Sequence, residues 1–167
     1  KALELDPSSD AAKRSLAEMK RATGKPEDAA VLYQELLEKD ADNIPARTGL
    51  VLSFFDMGKR TDAETELTKT LETNPNNVIL LAGASYWYAA ANDNAKAVEL
   101  AEKAIALEPR YVWSHIALAR GQAGQGKLVD AERTLIKARQ YGNFPTLEYE
   151  IASARLTLGL YREAAEE

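Results

Sequence analysis

Gly58-Lys-Arg-Thr-Asp-Ala63 is one copy of a phrase that returns along the whole chain. Gly24 and Ala29 stand 34 residues earlier, Asn92 and Ala97 34 residues later, and Gly126 and Ala131 34 beyond those. Gly159 and Ala164 follow after 33. Proline keeps the same beat, with Pro7 and Pro75 two periods apart and Pro109 one further. A fixed period of this length marks an array of repeated supersecondary units.

Each period reads as helix, turn, helix, turn. The glycine, or Asn92 in its place, ends the first helix, where a left-handed residue caps the last carbonyls. The proline stops the second helix. The alanine sits early in the second helix and lets the pair approach closely, against Ala17, Val51, Ser85, Ala119 and Ala152 of the first helices. Leu16, Leu50, Leu118 and Ile151, with Tyr33, Leu67 and Leu135, fill the space between repeats. The pattern predicts helices near 10–23, 26–38, 44–57, 60–73, 78–91, 94–107, 112–124, 128–141 and 145–158, with another starting at Tyr161. Pro26 suits a first helical turn, and Thr61 with Glu64 matches a capping box. The β-propensity of Tyr111–Ile116 yields to the repeat register.

Composition sets limits on function. The 167 residues are 46% hydrophobic and 28% charged, the balance of a folded, soluble chain. A net charge of −5 argues against nucleic acid as a partner. No apolar run is long enough for a membrane span. The absence of cysteine excludes disulfides, thiol nucleophiles and thiolate metal sites.

The repeat resembles the tetratricopeptide repeat family. Lys1-Ala-Leu-Glu-Leu-Asp-Pro7 looks like a repeat ending, as do Asn74-Pro75 and Glu108-Pro109. The resemblance covers the whole chain and frames four full repeats, 10–43, 44–77, 78–111 and 112–144. Before them, 1–9 ends a partial repeat; after them, 145–167 starts another. It implies an all-α fold, a right-handed α-solenoid of stacked antiparallel helix pairs, acting as a non-catalytic protein-interaction scaffold with no cofactor. Lys13, Arg47, Leu81 and His115 stand where the family has an early aromatic, and Ala41 where it usually has proline. The chain begins and ends inside a repeat, which predicts a piece of a longer array whose ends can stack on one another. An architectural, self-assembling module and the recognition arm of a multidomain protein are the alternatives.

In such an array first helices line the concave side. Helical spacing then selects the groove-facing residues: Arg14, Glu18 and Arg21; Leu52, Phe55 and Asp56; Ala82, Tyr86 and Ala89; Trp113, Ile116 and Arg120; Tyr149, Ser153 and Leu156. Aromatics with arginine favour protein interfaces, so the expected ligand is a peptide or a partner helix. Trp87 and Tyr88 point elsewhere and read as core. The family's carboxylate clamp needs several concave cations, and only Arg14 occupies a matching place. The asparagine ladder of members that precede sugar transferases is replaced by Ser15, Gly49, Gly83, Ala117 and Glu150.

Gly121-Gln-Ala-Gly-Gln-Gly-Lys127 approaches a phosphate-binding loop, but Leu128 replaces the needed hydroxyl and a helix, not a strand, precedes it. The lone His115 has no serine or cysteine at catalytic spacing and reads as a packing residue. Acidic clusters at Asp40 and Asp42 and at Glu163–Glu167 read as solvated turns and faces, not a metal loop.

Overall fold

The four inner turns decide the architecture, and all four are built alike. Gly24, Gly58, Asn92 and Gly126 adopt positive φ, between +62° and +78°. The next residue's N–H then donates to the carbonyl five residues back: Lys25 to Lys20, Lys59 to Phe54, Asp93 to Tyr88 and Lys127 to Gln122, each at 2.9 Å. This is a Schellman closure, which satisfies helix-end carbonyls while reversing the chain. Glycine takes the conformation without strain; Asn92 takes it at a cost.

The computed structural model describes residues 9–166, with side chains through Gly159. The predicted repeat ending Lys1–Pro7 and the Ala164 side chain lie outside the described residues. Helices α1 (Asp10–Ala22), α2 (Pro26–Lys39), α3 (Ile44–Asp56) and α4 (Arg60–Thr73) belong to one compact unit, Lys1–Pro75. Helices α5 (Val78–Ala90), α6 (Asn94–Leu107), α7 (Val112–Gly124), α8 (Leu128–Ala138) and α9 (Pro145–Glu166) belong to a second, Asn76–Glu167. No strand occurs among the described residues. Within each unit, helices next to one another in sequence pack as pairs, and the first helices of successive repeats also meet, as α5 does α7.

Side chains start three of the first helices. Ala12, Ala46 and Leu80 donate their N–H groups to Ser9 Oγ, Asn43 Oδ1 and Asn77 Oδ1 at 3.0–3.1 Å. Each such cap contributes about 1 kcal/mol. Pro26 occupies the first turn of α2, as its sequence position predicts. Thr61 does not cap α4: the helix already begins at Arg60, and Glu64 pairs instead with Arg60 at 3.1 Å. The Schellman turn fixes the N-cap at Lys59, two residues too early for the capping box to form.

Ala29, Ala63, Ala97 and Ala131 are buried at their helix crossings, as are Ala17, Val51, Ser85 and Ala119 opposite them. In the first unit Tyr33, Leu36 and Leu50 complete the core. The Tyr33 ring lies across Gly49, where an added Cβ would stand only 2.2 Å from ring carbon Cζ. In the second unit Val112, Ile116, Leu135, Leu147 and Ile151 form one cluster. His115 is buried, with Nε2 2.8 Å from the Pro109 carbonyl and its ring 5.6 Å from that of Tyr141. Tyr88 is fully buried and meets Trp87 edge-on at 5.4 Å.

The last helix departs from expectation. No turn forms at Gly159: α9 runs unbroken for 22 residues, through Tyr161 to Glu166. Continuing the helix adds one hydrogen bond per residue fixed. Ala152, expected at a helix crossing, is therefore exposed. Leu16 is exposed too, on a helix whose expected neighbour lies within residues 1–9. Helix α8 also ends early, passing into a 3₁₀ turn at Arg139–Tyr141. The residue before Pro145 must be extended, so the chain leaves the α conformation before it starts α9.

Candidate functional site

The predicted groove residues do not form one kind of surface. On α1, Arg14 and Glu18 face each other at 3.7 Å, one helical turn apart. Arg21 Nε donates to Asp56 Oδ2 at 2.5 Å and ties α1 to α3. Leu52 and Phe55 are not groove residues: both are buried, Phe55 to 1% exposure. The stripe they share with Asp56 is turned so that only the carboxylate reaches solvent. Burial, with Glu18 and then Asp56 adding to it against Arg21 and Arg14, raises the Tyr33 phenol above its usual pKa.

The second unit carries the aromatic half. Arg120 stacks over the Tyr86 ring at 4.2 Å. Its Nη2 and Nε both donate to Glu150 Oε1, at 2.5 and 3.2 Å, linking α7 to α9. Glu150 is only 11% exposed. Burial works against the Arg120 charge, but the Glu150 carboxylate, with help from Tyr86 and Tyr149, holds its pKa above the usual guanidinium value. Trp113 remains 42% exposed and leans on Phe144 with ring centroids 5.7 Å apart. Tyr149 is 68% exposed and Leu156 nearly as much. Ile116 is the exception in this unit: fully buried, it belongs to the core. Its stripe on α7 lies beside the core boundary, so Trp113 and Arg120 emerge while Ile116 does not.

A cleft of about 890 Å³ opens beside this surface, between the middle of α9, the ends of α5 and α7 and the first turns of α8. Its origin is visible in the repeat itself. Helix α7 sits tightly on α6 through two glycines. A Cβ on Gly121 would come within 2.9 Å of Val98 Cγ2, and one on Gly124 within 2.1 Å of Asn94 Oδ1. One period later, α9 presents Ala154 and Thr157 in place of those glycines, facing Leu128, Ala131 and Glu132 in place of Asn94, Ala97 and Val98. Larger side chains meet larger side chains, and α9 stands off. Leu147 and Ile151 still anchor its first half in the core. Arg155 reaches Glu132 at 2.7 Å across the rim.

Of the residues that helical spacing selects, Trp113, Tyr149, Ser153 and Leu156 are exposed and Tyr86 and Arg120 half-buried. Spacing missed Glu150 as the Arg120 partner, and it missed the cleft; the exchange of Gly121 and Gly124 for Ala154 and Thr157 is the signal that reveals it. The phosphate-loop look-alike is the end of α7 and its turn, with Gly121 and Gly124 spent on helix packing. Among the described residues no three His, Asp or Glu side chains are grouped to hold a metal ion, and no helix is long and apolar enough to cross a membrane.

The sequence model of the tetratricopeptide repeat family matches residues 20–84. These are tetratricopeptide repeats. Solved structures carry the same fold over nearly the whole chain. A thermophilic tetratricopeptide-repeat protein of Thermus thermophilus aligns with a TM-score of 0.82 at 18% identity, covering 90% of this chain and 84% of its own. PilF of Pseudomonas aeruginosa gives 0.74 at 20%, covering 94% and 72%. MamA of Desulfovibrio magneticus gives 0.67 at 16%, covering 94% and 89%. No curated protein sequence matches. Tetratricopeptide repeats generally mediate protein–protein interaction and are typically non-catalytic scaffolds.

Proposed function

We propose that this chain is a protein-docking scaffold whose contact surface is the exposed face of α7 and α9 in the second unit, without chemistry of its own. The observation that carries the reading is the exposure of Trp113 on α7 and of Tyr149 and Leu156 on α9, the two helices that the stacked and paired Arg120 links. Large aromatics with a fixed arginine are the side chains that dominate interface energetics. Exposed apolar residues gathered on one face, rather than scattered, mark interaction sites. Arg14, Glu18 and Arg21 carry less weight, because their partners are already within their own unit. The net charge of −5 supports a protein over a nucleic acid as ligand.

Site-specific photo-crosslinking tests this. A benzophenone amino acid at Tyr149 is expected to capture a discrete partner from a lysate. The same group at exposed Glu38 on α2 is expected to capture none. Equal capture at both positions would refute the assignment of the face.

A further inference from the structure

We infer that α9 is a self-association helix: two copies of this chain pair antiparallel along a seam of Tyr149, Ala152, Leu156 and Gly159. This deepens the docking reading of the second unit, on which it rests, by naming a second copy as an occupant of the α9 half.

Spacing gives the first argument. The four residues follow one another at intervals of three, four and three, the beat of a coiled-coil seam. At about 100° per residue, Leu147 and Ile151 lie on the opposite face of the helix, and both are in the core. The seam itself is open. Tyr149 and Leu156 are well exposed, as is Ala152, and a Cβ added to Gly159 would meet nothing within 4 Å. Large apolar side chains aligned on one exposed helix face mark a contact.

The repeat shows what covers such a face. One period earlier Ile116 and Ala119 hold the places of Tyr149 and Ala152. Both are buried, in one cluster with Ala131 and Leu135 of α8, the second helix of their own repeat. Helix α9 instead runs unbroken past Gly159 to Glu166. Among the described residues no second helix returns over it, so the helix that fits its face comes from elsewhere.

Side-chain size selects that helix and its direction. The seam alternates large, small, large, small. Tyr149 and Leu156 are seven residues apart, and so are Ala152 and Gly159. One antiparallel register therefore sets Tyr149 over the second copy's Gly159 and Leu156 over its Ala152. Parallel pairing would set large on large and leave holes between. The small residues let the axes close to the 8–10 Å of helix packing. Each copy offers the same surface, so the contact closes at two. The charges on one edge, Glu148 and Arg155, are already paired with Arg139 and Glu132 of α8. Two large anchors per copy bury far less than the roughly 800 Å² per partner of a standard complex, so the dimer is weak and reversible.

Sedimentation equilibrium of the full chain tests this. A monomer–dimer equilibrium is expected, half-associated at about 10–100 μM. Gly159→Tyr fills one hole at a position that is open within its own chain, and should weaken the dimer about tenfold or more. Adding Tyr149→Ala clears the place opposite and should restore most of the loss, a rescue that only the antiparallel register gives. Ala152→Phe fills the second hole and gives an independent reading. Val31→Ser, exposed on α2, should change nothing. Circular dichroism checks that each variant is folded. A chain that stays monomeric up to about 1 mM, a dimer that neither filling weakens, a loss that Tyr149→Ala does not restore, or an equal loss in Val31→Ser would each overturn the seam. In any of these cases a different protein captured from a lysate at position 149 would leave the docking face standing.

Discussion

The two units share one repeat and one turn, yet they spend the equivalent helix face differently. Glu18, Leu52, Tyr86 and Arg120 are successive residues of one 34-residue register. In the first unit that face is charged and self-paired: Arg14 with Glu18, Arg21 with Asp56, while Leu52 turns into the core. In the second unit it is aromatic and partly open, and its one strong ion pair is shielded. The repeat thus fixes where a residue stands on its helix, and the neighbours fix whether that position is core, flank or contact surface.

The sharpest way to break the comparison is at the packing that the first unit needs most. Gly49→Ala would push a methyl into the Tyr33 ring, and we expect a loss of about 3 kcal/mol, against a helix-propensity gain of only about 1. Denaturant unfolding measures it. A neutral result would mean that Tyr33 can leave its place over Gly49.

The ion pairs should separate next. Glu150→Ala strands Arg120 half-buried and should cost about 1–2 kcal/mol, discounted for partial exposure. Asp56→Ala removes the more exposed partner of Arg21 and should cost well under about 1 kcal/mol. Equal losses in thermal melts would erase the electrostatic distinction between the units. At the turns, Asn92→Gly relieves a positive φ and should raise stability by up to about 1 kcal/mol.

The smallest effect is one of pH. Tyr33 and Tyr111 both have phenols raised above their usual pKa, Tyr111 by burial alone. A raised acid is held neutral by the fold, so its contribution is complete below the unfolded pKa near 10 and is lost as pH climbs past it. Alkaline titration of stability should show a fall above about pH 10, made shallower by Tyr33→Phe. An unchanged slope would place the titrating groups elsewhere.

The fold was largely legible because a period held by glycine, alanine and proline names both helices and turns before any burial is known. Asn92 was legible for the same reason: the register demanded a left-handed residue, and asparagine tolerates that better than most. The end of α9 was not legible, since the repeat predicts a turn at Gly159 but the energy of the turn depends on what the next helix can bury. Leu52, Phe55 and Ile116 were misplaced because spacing defines a stripe, not the angle at which the stripe meets its neighbours. Trp113 and Arg120 share the stripe of Ile116 yet stay at least partly exposed, because they stand on the outer side of that stripe. The cleft is a difference between two repeats, so it emerges only when α7 and α9 are compared position by position.

The measurement that bears most directly on the account is the affinity of a crosslinked, identified partner for two folded variants of the full chain. One carries Trp113→Ala and Tyr149→Ala in the second unit, the other Arg14→Ala and Glu18→Ala in the first. Calorimetric titration is expected to show binding reduced about a hundredfold by the first pair, as for two interface anchors of about 1–2 kcal/mol each, and nearly unchanged by the second. Binding lost with the charged pair and kept with the aromatic pair would contradict the assignment of the docking face to the second unit.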